Sequence, residues 1–309
     1  MYNKLPLWPI TQKFKFNKYK KKADKHKIDY IENFFKKKYN SKYCVLTSSA
    51  RVGIILALKY KKFDRSKIFN IPVWSSHCLY NSIGYVSNIT CKGNDMDGAL
   101  LVHHLGQSFQ VKSKKIFLID DSSDSLPEKE FKACINSTLL EVISLPKIIG
   151  SYCGGLVLTN NYNFYSYLKT HQMEGAELAN LQSQKKYNCL VLKKKNFEWH
   201  YSELENYGMD HNTCENIFEN LKNFEINLLL LKKRKQLFLK YVNGTDKYRV
   251  GPCIIMQYKE KNEKIFESYH INVKKKLEKQ IYLKRHILPL HFSITDKEIE
   301  KKLNALSRR

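Results

Sequence analysis

The sequence lacks any apolar run long enough to cross a membrane. The longest runs, such as residues 52–58, fall far short of the roughly 20 residues that a bilayer-spanning helix requires. The N-terminus carries lysines but no sustained apolar segment followed by a small-residue cleavage site, which a signal peptide would have. We therefore expect a cytoplasmic protein without a membrane span.

Closely spaced cysteine pairs are also missing. The eight cysteines include no C-x-x-C pair, which disfavours both a disulfide framework and a zinc ribbon. We therefore predict buried, reduced thiols and no metal site. The chain also has no internal repeat and no low-complexity linker.

Positive charge, by contrast, is in large excess. Among 309 residues, 54 Lys and Arg against 29 Asp and Glu give a formal net charge of +25, and hydrophobic residues make up 43%. That much apolar material can bury a substantial core, which excludes a disordered tail. The charge suits nucleic acid, an anionic membrane surface or a phosphorylated substrate. Because lysine runs are usually solvated faces, charge alone does not choose among the three.

Short β-rich runs alternate with helical stretches from residue 29 to about residue 160. This alternation predicts an α/β fold with a mostly parallel central sheet covered by helices. The predicted helices in this region are 29–40, 49–60 and 75–86. The predicted strands are 43–47, 67–71, 99–103, 116–120, 139–144 and 155–159.

The C-terminal third has a different pattern. Apolar residues with a period near 3.6 predict one long helix over 213–242. We expect a large domain over residues 1–240, including this helix, and a small α+β domain over 241–309. The small domain is predicted to contain a strand at 249–256, a helix near 262–276, a strand near 281–290 and a helix from about 296. Thr295 and Glu298 form a capping box at the start of that last helix.

Three short segments have residues suited to chemistry. Ser49 begins a strand-to-helix junction whose free amides would bind phosphate, or it is a simple N-cap. Asp121 ends an apolar strand, where ligands of α/β sheets bind, or it caps the following turn. Lys147 follows another apolar strand, although a lysine there is ordinarily a surface residue. Each segment alone leaves both interpretations open.

Taken in order, these segments resemble the DegT/StrS family of sugar aminotransferases, which depend on pyridoxal 5′-phosphate (PLP). The family has the fold of aspartate aminotransferase, known as fold type I. The resemblance runs from about residue 29 to residue 306. The similar segments are 49–58 to S-G-T-A-A-L-x-x-A-L, 102–107 to V-H-x-x-G-Q, 119–125 to I-E-D-A-A-Q-A, 147–160 to K-x-x-x-x-x-E-G-G-x-x-x-T-N, 168–171 to L-R-x-H and 287–291 to L-P-L-H.

The resemblance implies a role for each matched residue. Lys147 would form the Schiff base with PLP and move the proton between the substrate carbon and the cofactor. Asp121 would pair with the pyridine nitrogen and make the ring an electron sink. The phosphate would lie on the amides of Ala50 and Arg51 and on the hydroxyl of Ser49. Arg51 stands where the family has Thr, so its guanidinium either contacts the phosphate or points to solvent.

Two further positions near the cofactor depart from the family pattern. Asp124 stands where the family has Gln or His beside the phenolic oxygen, and an ionised carboxylate would repel a phenolate there. Asp124 is therefore expected to be protonated, turned away or used differently. Ser144, three residues before Lys147, is expected to replace a family serine that lies five residues before the lysine, where this chain has Val142.

The resemblance also implies a covering ring and a second subunit. Either Trp74 or His77 would cover one face of the cofactor, and we favour Trp74, with simple packing in the core as an equal alternative for it. Family members are homodimers in which an N-Y-R-M segment of the partner reaches the phosphate. The similar segment here begins at Asn206 and has Gly208 in place of Arg.

The resemblance implies a transaminase that moves an amino group from an amino acid, with glutamate favoured, to a nucleotide-linked keto sugar for surface polysaccharide or lipopolysaccharide synthesis. The departures keep a second possibility open, a PLP-fold protein that does not transaminate. A third is a degenerate binding protein whose basic surface contacts nucleic acid. No recognisable nucleic-acid motif supports this third interpretation, so nucleic acid is disfavoured.

Overall fold

The computed structural model describes residues 5–92, 95–111, 115–172, 174–194, 207–241, 246, 248–275 and 280–307. Its α-helices are α1 Lys25–Lys38, α2 Ala50–Tyr60, α3 His77–Val86, α4 Leu145–Ile149, α5 Tyr162–Gln172, α6 Ala176–Lys186, α7 His211–Leu221, α8 Phe224–Leu237 and α9 Asp296–Ser307. Its strands are β1 Tyr43–Thr47, β2 Ile68–Asn70, β3 Asn88–Thr90, β4 Gly98–Val102, β5 Phe117–Asp121, β6 Leu126–Pro127, β7 Glu141–Ser144, β8 Gly155–Thr159, β9 Arg249–Val250, β10 Cys253–Gln257, β11 Glu267–Lys275 and β12 Gln280–Pro289. Among these residues no helix is long and apolar enough to cross a bilayer.

A seven-stranded sheet forms the centre of the fold, in the order β1-β8-β7-β5-β4-β2-β3. The pairs from β7 to β3 are parallel, and β8 runs antiparallel to both β7 and β1. The predicted α/β class with a mostly parallel sheet is therefore confirmed. Helix α2 packs against β7, β8, α3 and α5, which explains why it is apolar on nearly every side.

The C-terminal region forms a three-stranded antiparallel sheet, in the order β10-β12-β11, followed by α9. Several of its apolar residues belong to the same buried cluster as residues of β7 and β8; Leu288 and Ile299, for example, share this cluster with Ile143 and Leu156. The capping box is present, since the Thr295 hydroxyl accepts from the Glu298 amide and the Glu298 carboxylate accepts from the Thr295 amide. The division at residues 240 and 241 stays a prediction.

The single helix expected over 213–242 is wrong, because the chain forms two helices there. The end of α7 tightens into hydrogen bonds three residues apart, from Lys222 to Glu219 and from Asn223 to Asn220. Asn223 then begins α8 with non-helical angles of φ −100° and ψ 5°. Asparagine competes locally for backbone hydrogen bonds, so it weakens a helix interior and favours such a break.

The helix expected near 262–276 is also wrong, because most of that stretch is strand β11. Its residues pair with β12 in antiparallel register, with an irregularity between Asn272 and Lys274. Along the strand, Ile271 is buried and Val273 is exposed, as the two-residue period of a strand requires. Sheet pairing has therefore overridden the helix propensity of the neighbouring Lys and Glu residues.

A fully buried ion pair joins β9 to the central sheet. The Arg249 guanidinium donates to Glu141 on β7 at 2.7 Å and to the hydroxyls of Ser122 and Ser108 at 3.1 Å each. The other Glu141 oxygen accepts from the Cys134 amide at 2.7 Å. Each charge thus has several hydrogen-bond partners, which a buried ion pair needs to offset desolvation.

We predict that Glu141→Gln destabilises the protein by about 3–5 kcal/mol, because it leaves the buried Arg249 without a counter-charge. The measurement is the free energy of unfolding in denaturant. Glu219→Gln is the matched control, since it breaks the exposed Lys222–Glu219 pair and is expected to cost less than about 1 kcal/mol. Equal losses of unfolding free energy in the two variants would contradict the prediction, because the buried pair would then contribute no more than an exposed one.

Candidate active site

The predicted site residues on the strands meet at one edge of the central sheet. Asp121 ends β5, Ser144 ends β7, and Gly155 begins the antiparallel β8, so all three lie at the same edge. Ser144 pairs with Gly155, and the Ser144 amide donates to the Ser123 carbonyl at 3.2 Å. Ligands of open α/β sheets bind at this carboxyl edge.

The N-terminus of α2 is pressed against the same edge. Ser49 is the N-cap, and its hydroxyl accepts from the Val52 amide at 3.4 Å. A Cβ on Gly155 would lie 2.2 Å from the nitrogen of Ala50, so only glycine allows β8 to come this close. The N-terminus of α2 therefore lies beside the strand ends that carry Ser144 and Asp121.

Two buried cations lie close to the start of α2. Arg51, in the first turn, and Lys186, at the end of α6, are both almost fully buried. Burial lowers the pKa of Lys186, Arg51 lowers it further, and the nearby Cys153 and Asp210 oppose this. Sequence reasoning missed Lys186, because a lysine at the end of a polar helix looks like a surface residue. This concentration of positive charge suits an anionic ligand.

Asp121 is a buried carboxylate close to Lys147. One of its oxygens accepts from the Ser123 amide at 2.9 Å. Burial raises the pKa of Asp121, with a smaller contribution in the same direction from Asp124, while hydrogen bonds from Ser123 and the positive charge of Lys147 oppose the rise. A carboxylate that is short of solvation at this position gains free energy by pairing with a further cation.

Lys147 lies on the short helix α4, between its N-cap Ser144 and the left-handed Gly150 that ends it. Its ammonium lies 4.6 Å from the centre of the Trp8 ring. It interacts electrostatically with Asp121 and with His104. Burial lowers the pKa of His104, with Lys147 acting in the same direction, so His104 is neutral at neutral pH.

Asp124 is used to fix a turn. Its carboxylate accepts from the Leu105 amide at 3.0 Å, and Leu105 has left-handed angles of φ 50° and ψ 39°. Asp124 was expected to be protonated, turned away or used differently. The bond to the Leu105 amide is such a different use of the carboxylate. Its contact with the cofactor stays a prediction.

His103 of the V-H-x-x-G-Q-like segment has a structural role. Its Nδ1 accepts from the Phe109 amide at 2.8 Å, so the proton is on Nε2, which donates to Asp120 at 3.0 Å. Asn136 and Thr138 also donate to Asp120, at 2.7 and 2.8 Å. These contacts fix the end of β4, where His104 begins the turn toward Lys147.

The ring that lies against Lys147 is that of Trp8, whereas Trp74 packs against a different residue. It is 57% exposed, and its ring stacks on His270 of β11 at 4.3 Å between centroids and 7° between planes. His77 begins α3 and is exposed. Asn206 lies outside the described residues. The covering role of Trp74 and the phosphate contact of Asn206 stay predictions.

Family comparison gives this geometry a context. A family model described as "Putative PLP-dependent aminotransferase" matches residues 31–308. No curated protein matches the sequence.

Three solved structures share the fold over almost their whole length. The "Putative sugar aminotransferase Spr1654" of Streptococcus pneumoniae, in its PLP form, has a TM-score of 0.62 at 11% identity and covers 98% of each chain. The GDP-4-keto-6-deoxy-D-mannose-3-dehydratase of E. coli has a TM-score of 0.62 at 15% identity, covering 97% of this chain and 99% of its own. The aminotransferase from Psychrobacter cryohalolentis has a TM-score of 0.59 at 12% identity, covering 92% of this chain and 91% of its own.

Because the family model spans most of the chain, the protein belongs to this family of PLP-dependent aminotransferases. The structural likenesses, at low identity, show the same fold. The predicted resemblance, the predicted fold class and PLP as the cofactor are thereby confirmed.

The residues present fit PLP. The N-terminus of α2, which Gly155 approaches closely, lies near two buried cations, and both features suit a phosphate. Asp121 suits a protonated ring nitrogen, and Lys147 supplies an amine near it. All three features lie along one sheet edge.

His291 of the L-P-L-H-like segment generates a pH prediction. It is buried, its Nε2 donates to the Pro6 carbonyl at 2.9 Å, and burial lowers its pKa to about 4. Because the unfolded chain takes up this proton near pH 6.5 and the folded chain only near pH 4, stability is lost as the pH falls between these values.

We therefore predict that wild type loses on the order of 3 kcal/mol relative to His291→Gln between pH 6.5 and pH 4. A glutamine amide still donates to Pro6 but does not titrate. The measurement is the difference in unfolding free energy between the two proteins at each pH. A difference that stays constant across this range would contradict the prediction.

Proposed function

We propose that the protein transfers an amino group from an amino acid, with glutamate as the favoured donor, to a keto sugar carried on a nucleotide, in the synthesis of surface polysaccharide or lipopolysaccharide. The observation that carries the proposal is the placement of Lys147 and Asp121 beside the start of α2 in a PLP-dependent aminotransferase. The names of the similar structures, a sugar aminotransferase and a dehydratase of a GDP-linked keto sugar, support the sugar class.

In this proposal Lys147 and Asp121 are the two groups that act on the reacting system. When bound, PLP supplies an electron sink for the carbanion formed at the substrate carbon. The Nζ of Lys147 would hold the cofactor covalently at rest and, once freed by the incoming amine of the substrate, would take and return the substrate proton. Asp121 holds the proton on the ring nitrogen, and its burial strengthens that charge pairing.

The phosphate is proposed to lie on the amides of Ala50 and Arg51 and on the hydroxyls of Ser49 and Ser144. The buried charges of Arg51 and Lys186 support this end of the site. A Cβ on Gly208 would lie 2.2 Å from the Glu174 carbonyl oxygen, so the arginine of the family's N-Y-R-M segment does not fit there. We propose that Arg51 and Lys186 supply the charge instead.

The surroundings of the site support the remaining parts of the proposal. A nucleotide sugar carries a diphosphate, and a protein with a formal charge of +25 attracts it over long range. All eight cysteines are free, which suits the reducing cytoplasm. We propose a homodimer in which Asn206 of one subunit completes the phosphate site of the other.

We predict that Lys147→Ala abolishes the visible absorbance of protein-bound PLP, because the covalent bond to the cofactor cannot form. The measurement is the absorption spectrum of purified protein after addition of PLP and gel filtration. Lys37→Ala is the matched control, since Lys37 is exposed on α1, and it should keep the wild-type spectrum. An unchanged spectrum in Lys147→Ala would contradict the assignment of Lys147 as the residue that binds PLP covalently.

A second candidate function is a PLP-dependent reaction on a keto sugar that is not transamination. Two observations favour it: one carboxylate oxygen of Asp124 accepts from the Leu105 amide, and one of the similar structures is a sugar dehydratase. Both functions would use Lys147 and the cofactor at the same site. The experiment that separates them is the half-reaction in which an amino acid converts bound PLP to pyridoxamine phosphate.

We predict that glutamate converts the bound PLP to pyridoxamine phosphate and releases one 2-oxoglutarate per site in the absence of sugar. The measurement is the loss of visible absorbance together with mass spectrometry of the released cofactor. Asp121→Asn should slow this conversion by at least about 100-fold, since the ring loses its charge partner. A wild-type protein that binds PLP but is not converted by any amino acid would favour the second function.

A further inference from the structure

The N-terminal segment, residues 5–16, passes beside Lys147 of the proposed active site. Backbone and side-chain bonds hold it at successive points along its length. The Pro6 carbonyl accepts from His291 at 2.9 Å, the Leu7 carbonyl accepts from the thiol of Cys253 at 3.6 Å, the Ile10 amide donates to Ser293 at 3.0 Å and the Thr11 hydroxyl donates to the Ser151 carbonyl at 3.3 Å. These contacts run from the C-terminal region to Ser151, in the loop that follows α4, the helix of Lys147.

The segment places one aromatic ring directly against Lys147. The centre of the Trp8 ring lies 4.6 Å from the lysine nitrogen, well within the range of a cation–π interaction. Trp8 itself packs on the buried cluster formed by Leu105, Cys253 and two isoleucines of the C-terminal sheet. The ring is therefore held from behind by apolar side chains while its face meets the amine.

The other tryptophan that the sequence suggests is placed differently. Trp74 is more than half exposed, and one face of its ring is already covered by His270. Trp8 was missed by sequence reasoning because it lies more than a hundred residues from Lys147 and precedes the first matched segment. Only the folded path of residues 5–16 brings the two together.

We propose that Trp8 is a positioning residue of the active site, whose ring holds the free ammonium of Lys147 and shields it from water. The proposal rests on the proposed role of Lys147. The lysine amine is released from the cofactor once in each reaction cycle, and a ring that fixes it in place keeps it near the atoms to which it must return. The N-terminal segment is then a wall of the catalytic pocket.

The test is the rate at which Lys147 is acetylated by trace acetic anhydride in the cofactor-free full-length protein, measured by mass spectrometry of the peptides. Trp8→Leu is expected to raise this rate about threefold or more, because the amine loses the ring that covers it and holds it in place. Trp8→Phe keeps a ring and is expected to stay near the wild-type rate. Cofactor-free protein is used so that the outcome does not depend on the reaction catalysed.

Two controls separate a local effect from loosening of the protein. Tyr19→Leu removes an aromatic residue that is 93% exposed on the following stretch of chain, and it should leave the Lys147 rate unchanged. The rate is expressed relative to that of Lys302, which is buried and donates to the Ile265 carbonyl, so that general unfolding cancels. A wild-type ratio in Trp8→Leu, or an equal rise in Trp8→Phe, would overturn the proposal while leaving the PLP spectrum of Lys147→Ala as a separate test of function.

Discussion

The buried pair of Arg249 and Glu141 determines how the C-terminal third of the chain sits on the catalytic sheet. Glu141 begins β7, the strand that ends at Ser144 and continues into the helix of Lys147. Arg249 also binds Ser122, the residue next to Asp121. Because neither charge reaches solvent, their separation would leave two uncompensated charges in the core, so β9 and the strands after it are fixed relative to both groups proposed to act on the substrate.

The site itself has its charges ordered along the sheet edge. Positive charge, from Arg51 and Lys186 and from the amides of α2, gathers at one end, and the carboxylate of Asp121 lies toward the other. This order matches a ligand with a phosphate at one end and a protonated ring nitrogen at the other. The close approach of Gly155 to Ala50 brings the two ends to the same edge, since any larger side chain would force α2 away.

The sequence predicted the features that depend on local pattern, and it missed those that depend on distant partners. The bounds of β1 and β8 follow from short apolar runs. Strand ends made Asp121 and Lys147 candidates, but only the family resemblance chose them, and their roles stay predictions. The break between α7 and α8 escaped a periodicity argument because the apolar spacing continues through Asn223. Strand β11 escaped it because its pairing with β12 outweighs its own propensity. Trp8 and Lys186 become candidates for the site only because the fold places them near Lys147 and Arg51, which are distant in sequence.

The departures from the family pattern form a consistent set in physical terms. Gly208 has no room for an arginine beside the Glu174 carbonyl, while Arg51 replaces a neutral residue at the start of α2. The positive charge that is missing at Gly208 is thus present at Arg51, which is buried at the start of α2. Asp124 likewise has one carboxylate oxygen bonded to the Leu105 amide, which fixes the turn that carries His104 toward Lys147. A pocket altered in this way would keep the charges proposed to hold the cofactor while changing the residues proposed to lie near the substrate.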